Sequence, residues 1–225
     1  MSGARDENGG WLRDAAAIYE ESFRLIAREA DFSHLPAQTR HIAARIIHAC
    51  GLPQLATSLR ISASLQKTVE NALRKSCQIF TDTEMTRAGL MQKLLPPHVK
   101  VHCLLRDERV RHLSEKHNVT LTAAAVDCWR FQPESAICII GNAPTALFRL
   151  MERIMKGELR PAAVLAFPVG FVGAAEAKQL WYRDFMRTGH DGATMLGRAG
   201  GAGMAAAAFN AILLASFDGK MKNAE

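Results

Sequence analysis

Residues able to move a proton are scattered along this chain, and few of them are grouped. Eight histidines are present, without an HExxH pair or a Cys/His cluster, so no metal site is expected. His41 and His48 are seven residues apart and share a face of one predicted helix. His48 falls in that helix's last turn, where the negative end of the dipole favours an imidazolium and suits it to donate a proton. On its own residues it still reads as a structural or surface histidine. Asp82 and Glu84 follow a strand-like run and read as N-capping groups for a helix near Met85 rather than as a catalytic carboxylate pair. Ser22 has no base on its own helix and reads as a buried polar contact. Met85, Leu90, Met91 and Leu94 read as core.

Three glycine-bearing turns are more pointed. AICIIG runs into GNAPTALF, where Asn142 leaves the strand, Pro144 suits a first helical position, and free backbone N–H groups can face an anion. AAVLAF runs into PVGFVGAAEAK with Gly170 and Gly173, and TMLG runs into GRAGGAGM with Arg198 and glycines at 197, 200, 201 and 203. Each turn alone is explained by tight βα geometry. Three in succession favour a shared binding rim lined by Asn142, Thr145, Gly170, Gly173 and Arg198. GRAGGAG lacks the P-loop Lys-Ser/Thr, and CQIFTDTEM lacks the glycines of a dinucleotide fingerprint.

The elements that must position these residues alternate. Helical periodicity runs from Trp11 to Ala30 and from Pro36 to Cys50, with Gly51 suited to the left-handed residue after a helix. A third helix covers about Ser64 to Lys75. Strand-like runs then follow at CQIFTD, 99–105, 136–141, 162–169 and 194–197, separated by helical stretches near 107–117, 122–131, 144–156, 173–186 and 203–215. This pattern predicts an α/β fold: a mostly parallel five-stranded sheet with helices on both faces, Rossmann-like, plus N-terminal helices packed outside that unit or on a partner subunit. Residues 1–10 read as a flexible, polar start and 11–225 as a single domain.

Composition narrows the class. The 225 residues carry 28 Lys+Arg against 22 Asp+Glu, a net charge of +6, with 48% hydrophobic and 22% charged residues; these values suit a globular protein and exclude a low-complexity or fibrous chain. Five cysteines without a CxxC leave one unpaired in any disulfide scheme and suit a reducing cytoplasm. The first residues lack the apolar stretch of a signal peptide, and no run reaches the roughly 18 apolar residues of a membrane span. The diffuse basic charge, without an RNP-like aromatic motif, argues against nucleic acid and fits a small polyanion.

Taken together, AAIYEESFRLIAREAD, RIIHACG, IFTDTEM, GNAPTALF, PVGFVGAAEAK and GRAGGAGMAAAAFNA resemble the precorrin-8X methylmutase family over residues 11–215. The resemblance implies a corrin-pathway isomerase that moves a methyl group from C11 to C12 of a polycarboxylate tetrapyrrole, with precorrin-8X as substrate and hydrogenobyrinate as product, or their cobalt-containing equivalents. It carries the family's catalytic histidine onto His48 and a substrate-contacting serine onto Ser22. It implies no cofactor, since the methyl comes from within the substrate, and a homodimer with sites near the subunit interface. The family's NTRSAAA stretch aligns with NVTLTAAAV. Thr120 matches, but Leu121 stands where the family has arginine, removing a charge suited to bidentate carboxylate binding. Arg149 and Arg198 are the replacement charges to examine, and a non-catalytic or altered-specificity corrinoid-binding paralogue is the alternative.

Overall fold

The computed structural model describes residues 10–222; the flexible start expected over residues 1–10 lies, but for its last residue, outside them. Six strands form one sheet: β1 (Leu59–Ile61), β2 (Gln78–Thr81), β3 (Lys100–Cys103), β4 (Ala136–Ile140), β5 (Ala163–Ala166) and β6 (Gly192–Met195), in the order β1-β6-β5-β4-β2-β3. β2 through β6 are mutually parallel, and β1 runs antiparallel to β6 with Leu59 opposite Met195 and Ile61 opposite Ala193. The α/β class and the parallel core stand as expected, but the sheet has six strands rather than five. β1 has only three residues, and its burial alternation of Leu59, Arg60 and Ile61 is defined by pairing with β6 at the far end of the chain.

Every residue of β4, β5 and β6 is buried, as apolar strands covered on both faces must be. Ile79, Ile137, Ile139, Leu165 and Ala193 face one layer, and Phe80, Cys138, Ile140, Val164 and Ala166 face the other. The first layer holds α2 (Arg40–Cys50), α3 (Leu65–Arg74) and α9 (Ala202–Lys222), and the second holds α6 (Leu121–Asp127), α7 (Pro144–Met155) and α8 (Ala174–Leu180), with α5 (Glu108–His117) packed beside α6. α4 (Glu84–Ala88) is a short helix between β2 and β3.

The two N-terminal helices behave differently. α1 (Ala15–Glu29) starts where the Asp14 carboxylate accepts the Ala17 N–H at 2.7 Å, and it buries only Ile26. It sits outside, as expected. α2 does not: Ile42, Ala43, Ile46 and Ile47 are fully buried, and the helix packs along α9 as part of the first layer. Its end is the anticipated one, with Gly51 at φ +68° donating its N–H to Ile47 O at 2.8 Å.

Candidate active site

The parallel strands bring their carboxyl ends to one edge. The chain leaves β2 first for β3 on one side and then for β4 on the other, so the topological switch point lies between β2 and β4. There the Asp82 carboxylate, 0% exposed, accepts the N–H groups of Gly141 (3.0 Å), Asn142 (2.7 Å) and Ala143 (2.8 Å) and the Thr86 hydroxyl (2.9 Å). The turn GNAPTALF was expected to offer these N–H groups to an external anion; the chain's own carboxylate takes them instead. Nor does Asp82 cap α4. Thr83 does, accepting the Thr86 N–H, while Glu84 pairs with Arg87 at 2.9 Å and is held below its ordinary carboxylate range by that contact. Asn142 Oδ1 accepts from Thr83 at 2.8 Å, so this predicted lining residue is tied into the same network.

Beside it, the starts of α6 and α7 meet through hydroxyls. Thr120 caps α6, and its Oγ1 lies 2.8 Å from that of Thr145; Thr122 lies 3.1 Å from Thr145. Leu121, between Thr120 and Thr122 in sequence, is 44% exposed. A groove of about 790 Å³ runs past Thr120 and Thr145 toward Phe148 and Arg149. Arg149 is already committed, to Asp127 at 2.6 Å and Glu152 at 2.7 Å, and both hydrogen bonds raise its pKa. It is therefore no free replacement for the missing guanidinium.

The third group joins the β5–α8 and β6–α9 turns. The Gly170 N–H donates to Arg198 O at 3.2 Å, with Gly170 at φ +147°. Gly173, at φ +79°, starts α8; a Cβ there would lie 3.3 Å from Phe148 Cε2. The Arg198 guanidinium stands 5.2 Å over the Phe171 ring, and Phe171 and Val172 are 83% and 89% exposed. Sequence reasoning missed these two. Their signal is a pair of bulky apolar residues set between glycines in a βα turn, where water-facing residues are the norm.

His48 and Ser22 make their contacts on α1 and α2. The His48 ring is exposed and stacks on Phe23, centroids 5.1 Å apart and planes at 19°, with Tyr19 at 6.1 Å. Arg45, three residues before His48, donates to the Tyr19 hydroxyl and lies 5.4 Å and 5.8 Å from the Tyr19 and Phe23 centroids. Half-buried Ser22 donates to Ile18 O at 2.7 Å, which leaves its oxygen free to accept. Tyr19, Phe23 and Arg45 were not singled out from sequence, although Tyr19 and Phe23 have the i, i+4 spacing of one helix face. Thus one set of predicted residues gathers on α1 and α2 and another at the strand ends. A further polar groove of about 590 Å³, at the amino ends of β4 to β6, is lined by Lys75, Arg160, His190 and Asp191 and holds none of them. Among the described residues no three His, Cys, Asp or Glu side chains are grouped to hold a metal ion. No helix among them is long and apolar enough to cross a membrane.

Comparison with known proteins is consistent along the chain. A family model described as precorrin-8X methylmutase matches residues 17–215. A precorrin-8X methylmutase of Pseudomonas aeruginosa is 40% identical over 202 residues, covering 90% of this chain and 96% of that protein. The cobalt-precorrin-8 methylmutase of Methanothermobacter thermautotrophicus is 35% identical, covering 87% and 91%. The solved structure of the precorrin-8X methylmutase from Thermus thermophilus superposes with a TM-score of 0.77 at 32% identity, covering 91% of this chain and 98% of that one.

Proposed function

The chain belongs to the precorrin-8X methylmutase family of cobalamin-biosynthesis isomerases, and from that premise we propose that it moves the methyl group of precorrin-8X from C11 to C12, giving hydrogenobyrinate, with His48 as general acid and base. The observation that carries this reading is His48 itself. It stands exposed at the end of a helix whose other face is locked into the core, with its imidazole stacked on Phe23. A ring so supported is open to solvent and can give a proton to a flat macrocycle.

The chemistry balances without a second substrate. The His48 imidazolium donates its proton to the ring C nitrogen, which makes the conjugated system electron-poor. The C11–CH3 bond then breaks as the C12–CH3 bond forms in a [1,5]-sigmatropic shift, and the proton returns to the imidazole. No methyl donor or redox cofactor enters. Ser22 accepts a hydrogen bond from the substrate, and the Arg45 guanidinium adds positive charge beside a polycarboxylate tetrapyrrole. Thr120, Leu121, Asn142, Thr145, Gly170, Gly173 and Arg198 form the second part of the site. A second copy of the chain, docked through the exposed Ile18 and Tyr19 face of α1, brings the two parts together in a homodimer. The metal-free substrate is preferred here because relatives named for precorrin-8X are 40% and 39% identical, against 35% for the archaeal relative named for cobalt-precorrin-8.

Purified protein incubated with precorrin-8X is expected to develop the hydrogenobyrinate spectrum. In His48→Ala, turnover falls by about 10²-fold or more while hydrogenobyrinate affinity changes little; retained turnover in that variant removes His48 from the mechanism. The alternative is a corrinoid-binding paralogue, favoured by Leu121 in place of the family arginine and by the engagement of Arg149 elsewhere. Tight hydrogenobyrinate binding by wild-type protein that leaves precorrin-8X unchanged is its signature.

A further inference from the structure

Besides the Asp82 carboxylate, a second charged group lies wholly inside the protein and has no role in the mechanism above. Lys178, on α8, is 0% exposed, and its ammonium donates to the carbonyl of Ala199. The lysine is in none of the ion pairs found among the described residues. Burying an ammonium away from a counter-charge is unfavourable, and burial alone lowers its pKa to about 8. What the chain gains is a hold on one carbonyl.

That carbonyl lies in the turn between β6 and α9, next to Arg198. The backbone around it is fastened to the β5–α8 turn on both sides: Gly170 N–H to Arg198 O at 3.2 Å, and Gly201 N–H to Phe167 O at 2.8 Å. Between them Gly200 is pressed so closely that a Cβ would lie 2.4 Å from Phe167 O and 2.7 Å from Pro168 O. Lys178 adds to these backbone contacts a side-chain tie from α8, the helix that begins at Gly173, directly after Phe171 and Val172. The buried Lys178 hydrogen bond thus ties α8 to the residue that follows Arg198.

We propose that Lys178 is the positioning residue for Arg198: by holding the Ala199 carbonyl it fixes segment 197–201 so that the guanidinium stands over Phe171, ready for a carboxylate of the substrate. The assignment of Arg198 to a substrate carboxylate rests on the function proposed above; the hold on the segment does not. The test compares full-length wild type with Lys178→Met, Arg198→Gln and the double variant. Amide exchange read by mass spectrometry needs no tetrapyrrole. In Lys178→Met, exchange in 197–201 is expected to rise about tenfold or more while the α7 peptides stay unchanged. Unchanged exchange in 197–201 overturns the proposal, whatever the substrate proves to be.

Hydrogenobyrinate titration and steady-state kinetics then test the route through Arg198. Kd and KM are expected to rise about tenfold in Lys178→Met, Arg198→Gln and the double variant alike, with kcat little altered. Losses that multiply in the double variant overturn the coupling, because they mean that Lys178 acts elsewhere. If Lys178→Met does not fold, Lys178→Gln, which keeps an N–H donor of shorter reach, is read in the same two ways. Should wild type bind no tetrapyrrole, the functional reading fails while the exchange result still decides the hold.

Discussion

Asp82 does at the β2–β4 switch point what a bound phosphate does in nucleotide-binding sheets of this architecture, because three converging N–H groups meet a negative charge. Asp82→Ala leaves those donors and the Thr86 hydroxyl without it in a dry site. A loss of roughly 3–5 kcal/mol is expected, seen as a fall in Tm of about 10 °C or more in a thermal melt. Lys178 makes a second prediction, from a charge that the fold disfavours. Its pKa in the folded chain is lowered from 10.5 to about 8 by burial, so the unfolded chain binds that proton more tightly. The penalty weighs in full below about pH 8 and fades as pH rises toward 10.5. Relative to wild type, Lys178→Met should therefore be up to about 3 kcal/mol better off at pH 7 than at pH 10.5, measured by urea unfolding at both. Neither role was legible in the sequence. Asp82 meets Gly141 across 59 residues and Lys178 meets Ala199 across 21, and no local pattern reports such a meeting. His48 was different: Gly51 marks the helix end, so its place in the last turn could be read directly, though its stack on Phe23 needed the packing of α1 on α2.

Elements were most readable where their ends carry their own chemistry. Gly51 closes α2 and Pro144 opens α7, whereas Thr120 as the cap of α6 came only from the structure. β1 carries no such mark, and the helical stretch expected over 173–186 breaks at Trp181 into a π turn and then a 3-10 turn, a change of winding that side-chain periodicity does not encode. The cap at Thr120 also fixes what Leu121 can mean. It occupies the first position of α6, half-open to solvent, so restoring the family residue meets no apolar pocket. Leu121→Arg should shift stability by no more than about 0.5 kcal/mol. If α6 presents that position to the substrate, hydrogenobyrinate affinity rises by about 10- to 100-fold. A melting curve and a ligand titration on the same sample check both; unchanged affinity in a stable variant shows that the start of α6 faces away from the ligand.

For the whole molecule, the exposed side of α1 makes the quaternary prediction. Wild type is expected to sediment as a dimer, and Ile18→Asp as a monomer with unchanged helix content by circular dichroism. A monomeric wild type would leave α1 without that role. The same packing governs when the chain can become a protein at all. β1 and α2 lie in the first third of the sequence, yet β1 pairs with β6 and α2 rests along α9, the last strand and the last helix. While the chain is being made, Ile42, Ile46 and Ile47 lack their main packing partner until the final helix has emerged from the ribosome. The opening segment must therefore wait, apolar and unpaired, for the closing one, and a chain that stops short of α9 is an aggregation hazard rather than a smaller version of the same fold.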